Sequence, residues 1–200
     1  ALGLPFLPTY DDYQFKFKIR LNEKSELSFI GVGAFDRFKL NTDLEDPDEG
    51  QQYILNAVPV NNQMTYTFGA VYKIFHKKGY DAFILSRNLL QNELYKNKDN
   101  NPDSIRYFEL ESVEAENKFR WEHHSRTGSF KIMYGAGLEY ATYENRTFQI
   151  VFRDSGPSLV DYNSSINMFN YNAFGQISRM FFGDRLTLSA GLRMDGSSYS

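Results

Sequence analysis

The sequence predicts an all-β protein, an antiparallel up-and-down meander of about eight long strands. Aromatic residues make up 16% of the 200 residues, and aromatic side chains favour strands. Apolar and polar residues alternate with a period of two over long stretches, which is the pattern of a strand with two different faces. Short and long connections between these stretches also alternate along the chain.

The composition excludes several classes of protein. The 22 Lys and Arg are balanced by 25 Asp and Glu, for a net charge of −3, so no bulk positive charge would recruit nucleic acid. The chain has no cysteine, which excludes a disulfide framework and a thiolate metal site or nucleophile. No apolar stretch approaches the roughly 18 residues of a membrane-spanning helix.

The strands are located by their alternation of apolar and polar residues. The sixth strand is the clearest, because its apolar residues from Phe130 to Tyr140 alternate with Lys131, Glu139 and small residues. The phase is ambiguous in the second and fourth strands, where apolar residues fall on both faces. The predicted strands lie at about 13–22, 26–40, 64–74, 82–95, 108–124, 130–141, 168–180 and 186–195.

The connections differ in length in a regular order. Short turns are predicted near Glu23, Lys77, Thr127 and Gly183, and long loops at 41–63, 96–106 and 144–167. Transmembrane β-barrels have short periplasmic turns at one end and longer extracellular loops at the other. Their strands need roughly 9–11 tilted residues to cross the hydrocarbon, and the predicted strands are at least that long. The pattern therefore favours a membrane barrel over a soluble sandwich.

The two faces of the strands have different chemistry. In a membrane barrel the apolar face contacts lipid and the polar face lines the lumen, whereas a soluble eight-stranded barrel turns its apolar face inward. The periodicity alone does not separate these two arrangements, and the loop lengths favour the membrane barrel. The predicted lumen-facing residues are Lys16, Lys18, Arg20, Glu114, Glu116, Arg120, Lys131, Glu139 and Arg193.

Two segments resemble a known family. The segment 7–14 (LPTYDDYQ), followed by 21–29 (LNEKSELSF), resembles an early barrel hairpin of TonB-dependent outer-membrane receptors of Bacteroidota type. The segment 184–195 (DRLTLSAGLRMD) resembles a strand that recurs further along those barrels. The resemblance extends over nearly the whole chain.

The resemblance implies an outer-membrane location, a role in transport and a barrel of about 22 strands. Residues 1–200 would then be a partial barrel domain, an internal segment without the plug domain. The implied partners are outer-membrane lipid, the plug of the same full-length chain, TonB acting through the plug, and a small-molecule or glycan substrate. The substrate would be a scarce nutrient such as a siderophore, haem, cobalamin or a glycan.

No catalytic, cofactor or metal residue is assigned, and we do not expect an enzyme. His123, His124 and Ser125 sit at a short turn and are interpreted as polar turn residues, since a nucleophile needs an oriented base. Glu114 and Glu116 alternate with cations on one face, which favours a charged wall over paired catalytic carboxylates. The acidic run from Asp43 to Glu49 lacks the spacing of a calcium loop and is interpreted as solvated.

Two alternatives remain open. The chain could form a complete small eight-stranded outer-membrane barrel, acting as an anchor, an adhesin or a lipid-modifying enzyme, or it could form a soluble ligand-binding barrel. A closed barrel pairs its first and last strands, so it requires a hydrogen-bonded ladder between residues 12–20 and 186–194. A segment of a larger barrel leaves one edge of each of these strands unpaired.

Overall fold

The chain forms one antiparallel sheet whose eight strands follow one another in sequence order. The computed structural model describes residues 4–154, 156–183 and 185–199. Every neighbouring pair is antiparallel, so the predicted meander is confirmed. The strands are β1 (Phe6–Asn22), β2 (Ser25–Leu40), β3 (Val60–His76), β4 (Gly79–Asn97), β5 (Arg106–Thr127), β6 (Phe130–Arg153), β7 (Gly156–Phe181) and β8 (Leu186–Ser197).

The connections alternate between the two ends of the sheet, as predicted. The turns near Glu23, Lys77, Thr127 and Gly183 lie at one end, called the turn end here, and the other three connections lie at the loop end. Gly128 adopts a φ of +57° in its turn, a left-handed conformation that glycine reaches without steric cost. Such tight turns join consecutive strands directly.

One predicted loop contains a helix. Residues 41–63 were expected to be a loop, but α1 (Glu49–Ala57) forms inside it and β3 begins at Val60. A capping box starts the helix: the Gln51 backbone N–H donates to Asp48 Oδ1, and the Asp48 N–H donates to Gln51 Oε1, both at 2.8 Å. Within the described residues, no helix is long and apolar enough to span a membrane.

The prediction of a long loop at 144–167 is wrong. β6 continues to Arg153 and β7 starts at Gly156, with the two strands paired along this whole length. These strands have 24 and 26 residues, far more than the roughly 9–11 that cross a bilayer. In a membrane barrel this hairpin would therefore project beyond the hydrocarbon, where water contacts both faces and no apolar alternation is required.

The register divides the sheet into two faces. The Leu138 face is defined by a row of paired residues that runs across seven strands: Phe17, Phe29, Ala70, Leu85, Phe119, Leu138 and Tyr171. The opposite Glu139 face contains the row Lys16, Ile30, Gly69, Ser86, Lys118, Glu139 and Asn170. Ile132, Tyr134, Leu188 and Leu192 all fall on the Leu138 face, whereas Lys131, Thr187 and Arg193 fall on the other, as the alternation in the sixth and eighth strands predicts.

Large apolar side chains of the Leu138 face are left uncovered by the sheet. Phe17 is 59% exposed, Leu85 61% and Leu192 87%. Among the described residues, no large side chain is fully buried. Soluble monomers rarely expose a continuous apolar surface of this extent. An external apolar phase such as lipid would cover this face.

The apolar band crosses the sheet obliquely. Ile19, near the turn end of β1, lies in the same row as Met194, which is at the loop end of the apolar run in β8. Between β1 and β8 the apolar band therefore moves towards the turn end by about six to eight residues, or roughly 20–27 Å. These two strands are separated by seven strand steps of about 4.8 Å. This corresponds to a strand tilt of roughly 30–40°, close to the tilt of about 35–45° in outer-membrane barrels.

The chemistry of the faces changes towards the loop end. There the Leu138 face becomes polar, with Gln91, Glu93 and Glu144, while the Glu139 face acquires Leu94 and Phe108. The same reversal brings Phe38 of β2 to the Glu139 face, where its ring stacks on Phe6 at 4.9 Å. This reversal contributes to the ambiguous phase of the second and fourth strands, together with Ile30 on the Glu139 face and Arg87 on the Leu138 face, which interrupt the alternation in the middle of the sheet.

The sheet is open. The strand order ends at β1 on one side and at β8 on the other. Within residues 4–154, 156–183 and 185–199, no ladder joins 12–20 to 186–194, and each of these strands pairs on one edge only. The prediction of two unpaired edges is therefore confirmed.

We expect Leu138→Arg to impair assembly of the full-length protein, and Glu139→Arg to leave it nearly unchanged. An arginine at the bilayer midplane on a lipid-facing position costs roughly 2–4 kcal/mol, whereas lumen positions tolerate charge. Assembly is measured by heat-modifiable gel mobility of the outer-membrane fraction. Equal yields of the folded form for the two variants would contradict the face assignment.

We expect Asp48→Ala to destabilise α1 by about 0.5–2 kcal/mol, because the capping bond to the Gln51 N–H is lost. The measurement is amide hydrogen exchange over residues 49–57 of the full-length protein. Asp43→Ala is the control, since Asp43 lies in the same acidic run outside the helix. Exchange that accelerates as much in the control as in Asp48→Ala would refute the role of the cap.

Candidate functional site

The nine charged residues predicted to face a lumen lie on one face of the sheet. Lys16 and Glu139 belong to one row of the Glu139 face, and Lys18 and Arg120 to the next row towards the turn end. Arg20 and Arg193 occupy the row after that. Glu114, Glu116 and Lys131 share this face by the register of β5 and β6. The register thus brings together residues that are up to 177 positions apart in the sequence.

Lys118 is the centre of a polar network on this face. Its ammonium group contacts Glu116 Oε2 at 2.7 Å and Glu139 Oε2 at 3.2 Å. The amide of Asn88 donates to Glu116 Oε2 at 2.9 Å, and that of Asn170 donates to Glu139 Oε1 at 3.0 Å. The network therefore extends across β4, β5, β6 and β7.

Lys118 was not among the nine predicted residues, although its phase in β5 places it beside Glu116 and Arg120. The sequence does not indicate that Asn88 and Asn170 belong to this network. The phase of β4 is ambiguous, and Asn is common in turns. The side chains of Lys118 and Glu116 are each 38% exposed. Each exposed ion pair contributes about 1 kcal/mol or less to stability, so the network orders the wall more than it stabilises the sheet.

Further carboxylates neutralise other cations of the Glu139 face. Arg193 binds Asp195 through both Nε and Nη2, at 2.7–2.9 Å. Arg120 Nε lies 3.0 Å from Glu122 Oε1, and Lys18 Nζ lies 2.8 Å from Glu26 Oε2. Lys16, Arg20 and Lys131 form no ion pair with the residues that the structure describes. These three cations are thus available to an external partner.

Adjacent side chains fill the space above two glycines of this face. These are Gly135 and Gly137, and a glycine within a strand often marks a bend or a close approach of another segment. A Cβ atom at Gly137 would lie 2.8 Å from Asn172 Nδ2, and one at Gly135 would lie 2.8 Å from the Phe174 ring. Side chains of β7 therefore take up this room, and the glycines permit close packing between neighbouring strands.

A depression with a volume of about 700 Å³ lies on the Glu139 face and includes Lys118 and Glu139 of this network. Lys118, Glu139 and Arg193 contribute charges to it, and Asn172 and Gln176 contribute amides. Its mixed charge suits a polar surface that contacts water or another protein segment. No nucleophile or metal cluster accompanies these residues in the described part of the lining.

The two neighbouring histidines point to opposite faces of β5. His123 Nδ1 lies 2.8 Å from Asp81 Oδ1, and His76 Nε2 lies 2.6 Å from the other oxygen of Asp81. His124 Nε2 lies 2.9 Å from Glu122 Oε2, and its ring stacks on Tyr80 at 4.5 Å.

These contacts supply the acidic partners that the sequence did not identify for the histidines. In the described residues, however, no serine or threonine hydroxyl bonds to either imidazole. A nucleophile–base pair is therefore not assembled here. The interpretation of His123, His124 and Ser125 as structural polar residues near a turn agrees with this geometry.

The carboxylates that come closest to one another are not those of the acidic run at 43–49. They belong to Glu93, Glu109 and Glu111, whose oxygens lie within 4.8 Å of one another on the Leu138 face near the loop end. Glu109 is paired with Arg106 at 2.6 Å, and Glu93 accepts a bond from the Asn62 amide at 3.0 Å. This cluster was not predictable from the sequence, because it forms only through the register of β4 with β5.

Neither a family model nor a curated protein matches the chain. The structure is similar to two solved transporters. The outer membrane transporter YddB from Escherichia coli matches with a TM-score of 0.65 and 10% identity, over 97% of this chain and 28% of that protein. The copper transporter OprC matches with a TM-score of 0.63 and 13% identity, over 97% of this chain and 30% of that protein.

At these identities the likeness shows the fold. The chain spans less than a third of the length of either transporter. The antiparallel meander of eight strands thus corresponds in fold to a part of larger outer-membrane barrels. The comparisons confirm the predicted fold class and agree with the predicted location in the outer membrane.

Proposed function

We propose that the chain is part of the barrel wall of an active outer-membrane transporter, a TonB-dependent receptor. The Leu138 face contacts lipid, and the Glu139 face lines the lumen. In this arrangement the turns lie at the periplasmic end and the loop end faces the outside. Residues 1–200 form a partial barrel domain, and the rest of the wall comes from the same full-length polypeptide.

The open sheet is the observation that carries this proposal. β1 and β8 each leave a row of backbone N–H and C=O groups without a partner in the described residues. In hydrocarbon each unmet group costs several kcal/mol, and the apolar bands of β1 and β8 lie beside these edges. Further strands must therefore pair with both edges in the membrane, which supports a larger barrel. The partial match to two larger transporters supports the same conclusion.

The mechanism follows from the resemblance to TonB-dependent receptors. Extracellular loops capture a scarce nutrient, which belongs to the siderophore, haem, cobalamin or glycan class. A plug domain of the full-length chain occludes the lumen and contacts charges such as Lys16, Arg20 and Lys131. TonB pulls on the plug and uses the proton gradient to open a path.

The open sheet argues against a complete small barrel, which requires a ladder between β1 and β8. It also argues against a soluble ligand-binding barrel, whose apolar residues would fill a closed interior. No enzymatic role follows from the described side chains, because the histidines lack an oriented nucleophile.

Uptake in cells tests the transport function. We expect deletion of the full-length gene to abolish accumulation of one nutrient class. Wild-type cells treated with a protonophore, which removes the proton gradient, should lose the same accumulation. Restoring the gene should restore accumulation. Accumulation that continues without a proton gradient would refute an active transporter.

Cysteine labelling tests the assignment of faces separately. The 200 residues contain no cysteine, so Lys131→Cys and Glu139→Cys can be compared with their neighbours Ile132→Cys and Leu138→Cys in the full-length protein. In membranes, we expect a water-soluble maleimide to label the first pair faster and a lipid-soluble reagent to label the second pair faster. The unsubstituted protein provides the background. The same order of rates with both reagents would show that the lumen assignment is wrong.

A further inference from the structure

A buried lysine joins the helix of the first loop to the sheet. Lys96 projects from the loop end of β4, on the Glu139 face, and is only 4% exposed. Its ammonium group donates hydrogen bonds to the carbonyl oxygens of Leu55 at 2.5 Å and Val58 at 2.7 Å. Both carbonyls belong to the C-terminal end of α1, 38 or more positions away in the sequence.

This end of α1 depends on partners from outside the helix. The last turn of α1 contains no basic residue, although the carbonyls of a helix C-terminus require donors. Lys96 provides donors, and the Asn100 amide adds a bond to the Leu55 oxygen at 2.9 Å. The Leu55 side chain is itself only 6% exposed, so the helix is packed at this end.

A cavity of about 580 Å³ lies where α1 meets the loop end of the sheet. Asn56 of α1, Ile105, Tyr107 of β5, Ile150 of β6 and Pro157 of β7 contribute to its lining, together with the segment 96–100. The cavity is already partly open, and movement of α1 away from Lys96 would withdraw Asn56 from its lining and widen the opening.

We propose that α1 is a movable lid at the loop end of the sheet and that Lys96 is the latch that holds it closed. The lid lies on the face that the proposed function assigns to the lumen, but the latch itself is independent of that assignment. The side chains of Lys96 and Asn100 bind only backbone oxygens of α1. Release therefore breaks few bonds and leaves the strands intact.

No carboxylate compensates the charge of the latch. The charged groups nearest to it in the sequence are Glu93, which lies on the opposite face of β4, Lys98 and Asp99. Arg106 on the facing strand β5 is paired with Glu109. Glu49 begins the first turn of α1, at the end opposite to the Leu55 and Val58 carbonyls. Among the described residues, none of these groups forms an ion pair with Lys96.

Burial without a counter-charge lowers the pKa of Lys96 from 10.5 to about 8. Lys96 lies beyond the apolar band, because the Leu138 face of β4 is already polar from Gln91 onwards, so this group is outside the hydrocarbon. When the lid opens, water restores the pKa towards its usual value. Between pH 8 and 10.5 the closed state therefore binds fewer protons than the open state.

This difference sets the sign of the pH dependence. A state that binds fewer protons is favoured as the pH rises, so the lid closes more tightly between about pH 8 and 10.5 and is insensitive to pH below that window. The neutral amine keeps two N–H groups, which suffice for the Leu55 and Val58 oxygens. Deprotonation thus retains the hydrogen bonds and removes the buried charge.

Thiol labelling in the full-length protein in outer membranes measures the opening of the lid. Leu55→Cys is covered when the lid is closed, whereas Tyr53→Cys, at a position that is 71% exposed, reports the intrinsic reactivity of a thiol on the same helix. In the ratio of the Leu55→Cys rate to the Tyr53→Cys rate, the effect of pH on the reactivity of the thiol itself cancels. We expect this ratio to fall by about twentyfold between pH 7.5 and 9.5, as linkage to a lysine whose pKa is about 8 in the closed state and 10.5 in the open state requires.

Substitutions at Lys96 separate the latch from a merely structural role. In the Leu55→Cys background, Lys96→Met removes the donors, so labelling should be at least threefold faster at pH 7.5 and the pH trend should vanish. Lys96→Arg keeps the donors but stays charged, so slow labelling should persist without a pH trend. Lys98→Met, an exposed neighbour, should retain the wild-type trend.

The outcomes that overturn the proposal are distinct. A pH trend that survives in Lys96→Met and Lys96→Arg would exclude Lys96 as the titrating latch. Equal labelling of Leu55→Cys and Tyr53→Cys in the otherwise unchanged protein would exclude a closed lid. Heat-modifiable gel mobility verifies that each variant has assembled. Nutrient uptake is measured separately, so failure of the latch and failure of the transport function are distinguishable.

Discussion

Every backbone N–H and C=O group that enters hydrocarbon must find a hydrogen-bond partner in a neighbouring strand, and the rest of this structure depends on that requirement. The seven ladders satisfy it from β1 to β8. Once the backbone is paired, the side chains are free to divide between lipid and a polar interior. In the described residues the outer edges of β1 and β8 lack partners, as does the part of β7 that extends beyond the end of β8. The unpaired edges of β1 and β8 beside the apolar band are why we propose that the sheet is part of a longer wall.

The sequence predicted those elements of the fold that lie at the level of the membrane. In β6 and β8 the lipid-facing residues are all apolar or small, so the period of two is unbroken and the strands are easy to recognise. The pattern failed at 144–167, because water surrounds both faces of that hairpin and alternation is no longer required. It also missed α1, whose start depends on a local capping box of Asp48 and Gln51 rather than on a long amphipathic repeat.

In the candidate site, too, the sequence predicted some features and not others. The phase of each strand was enough to place Lys16, Glu139 and Arg193 on one face, since a face is a property of periodicity. The partners of Lys118 were not predictable, because the bonds to Glu116 and Glu139 depend on the register of β5 with β6. The contact between Lys96 and α1 was even less predictable from the sequence, because it joins a strand to a helix of a different loop.

The reversal of the two faces near Gln91 also fixes the depth at which the chain sits in the bilayer. If the chain moved outwards, Leu85 and Phe119, which lie below this level, would be exposed to water. If it moved inwards, Glu93 and Glu144, which lie above this level, would enter the hydrocarbon. Both displacements raise the free energy, so the wall has a single preferred height, with a restoring force on either side.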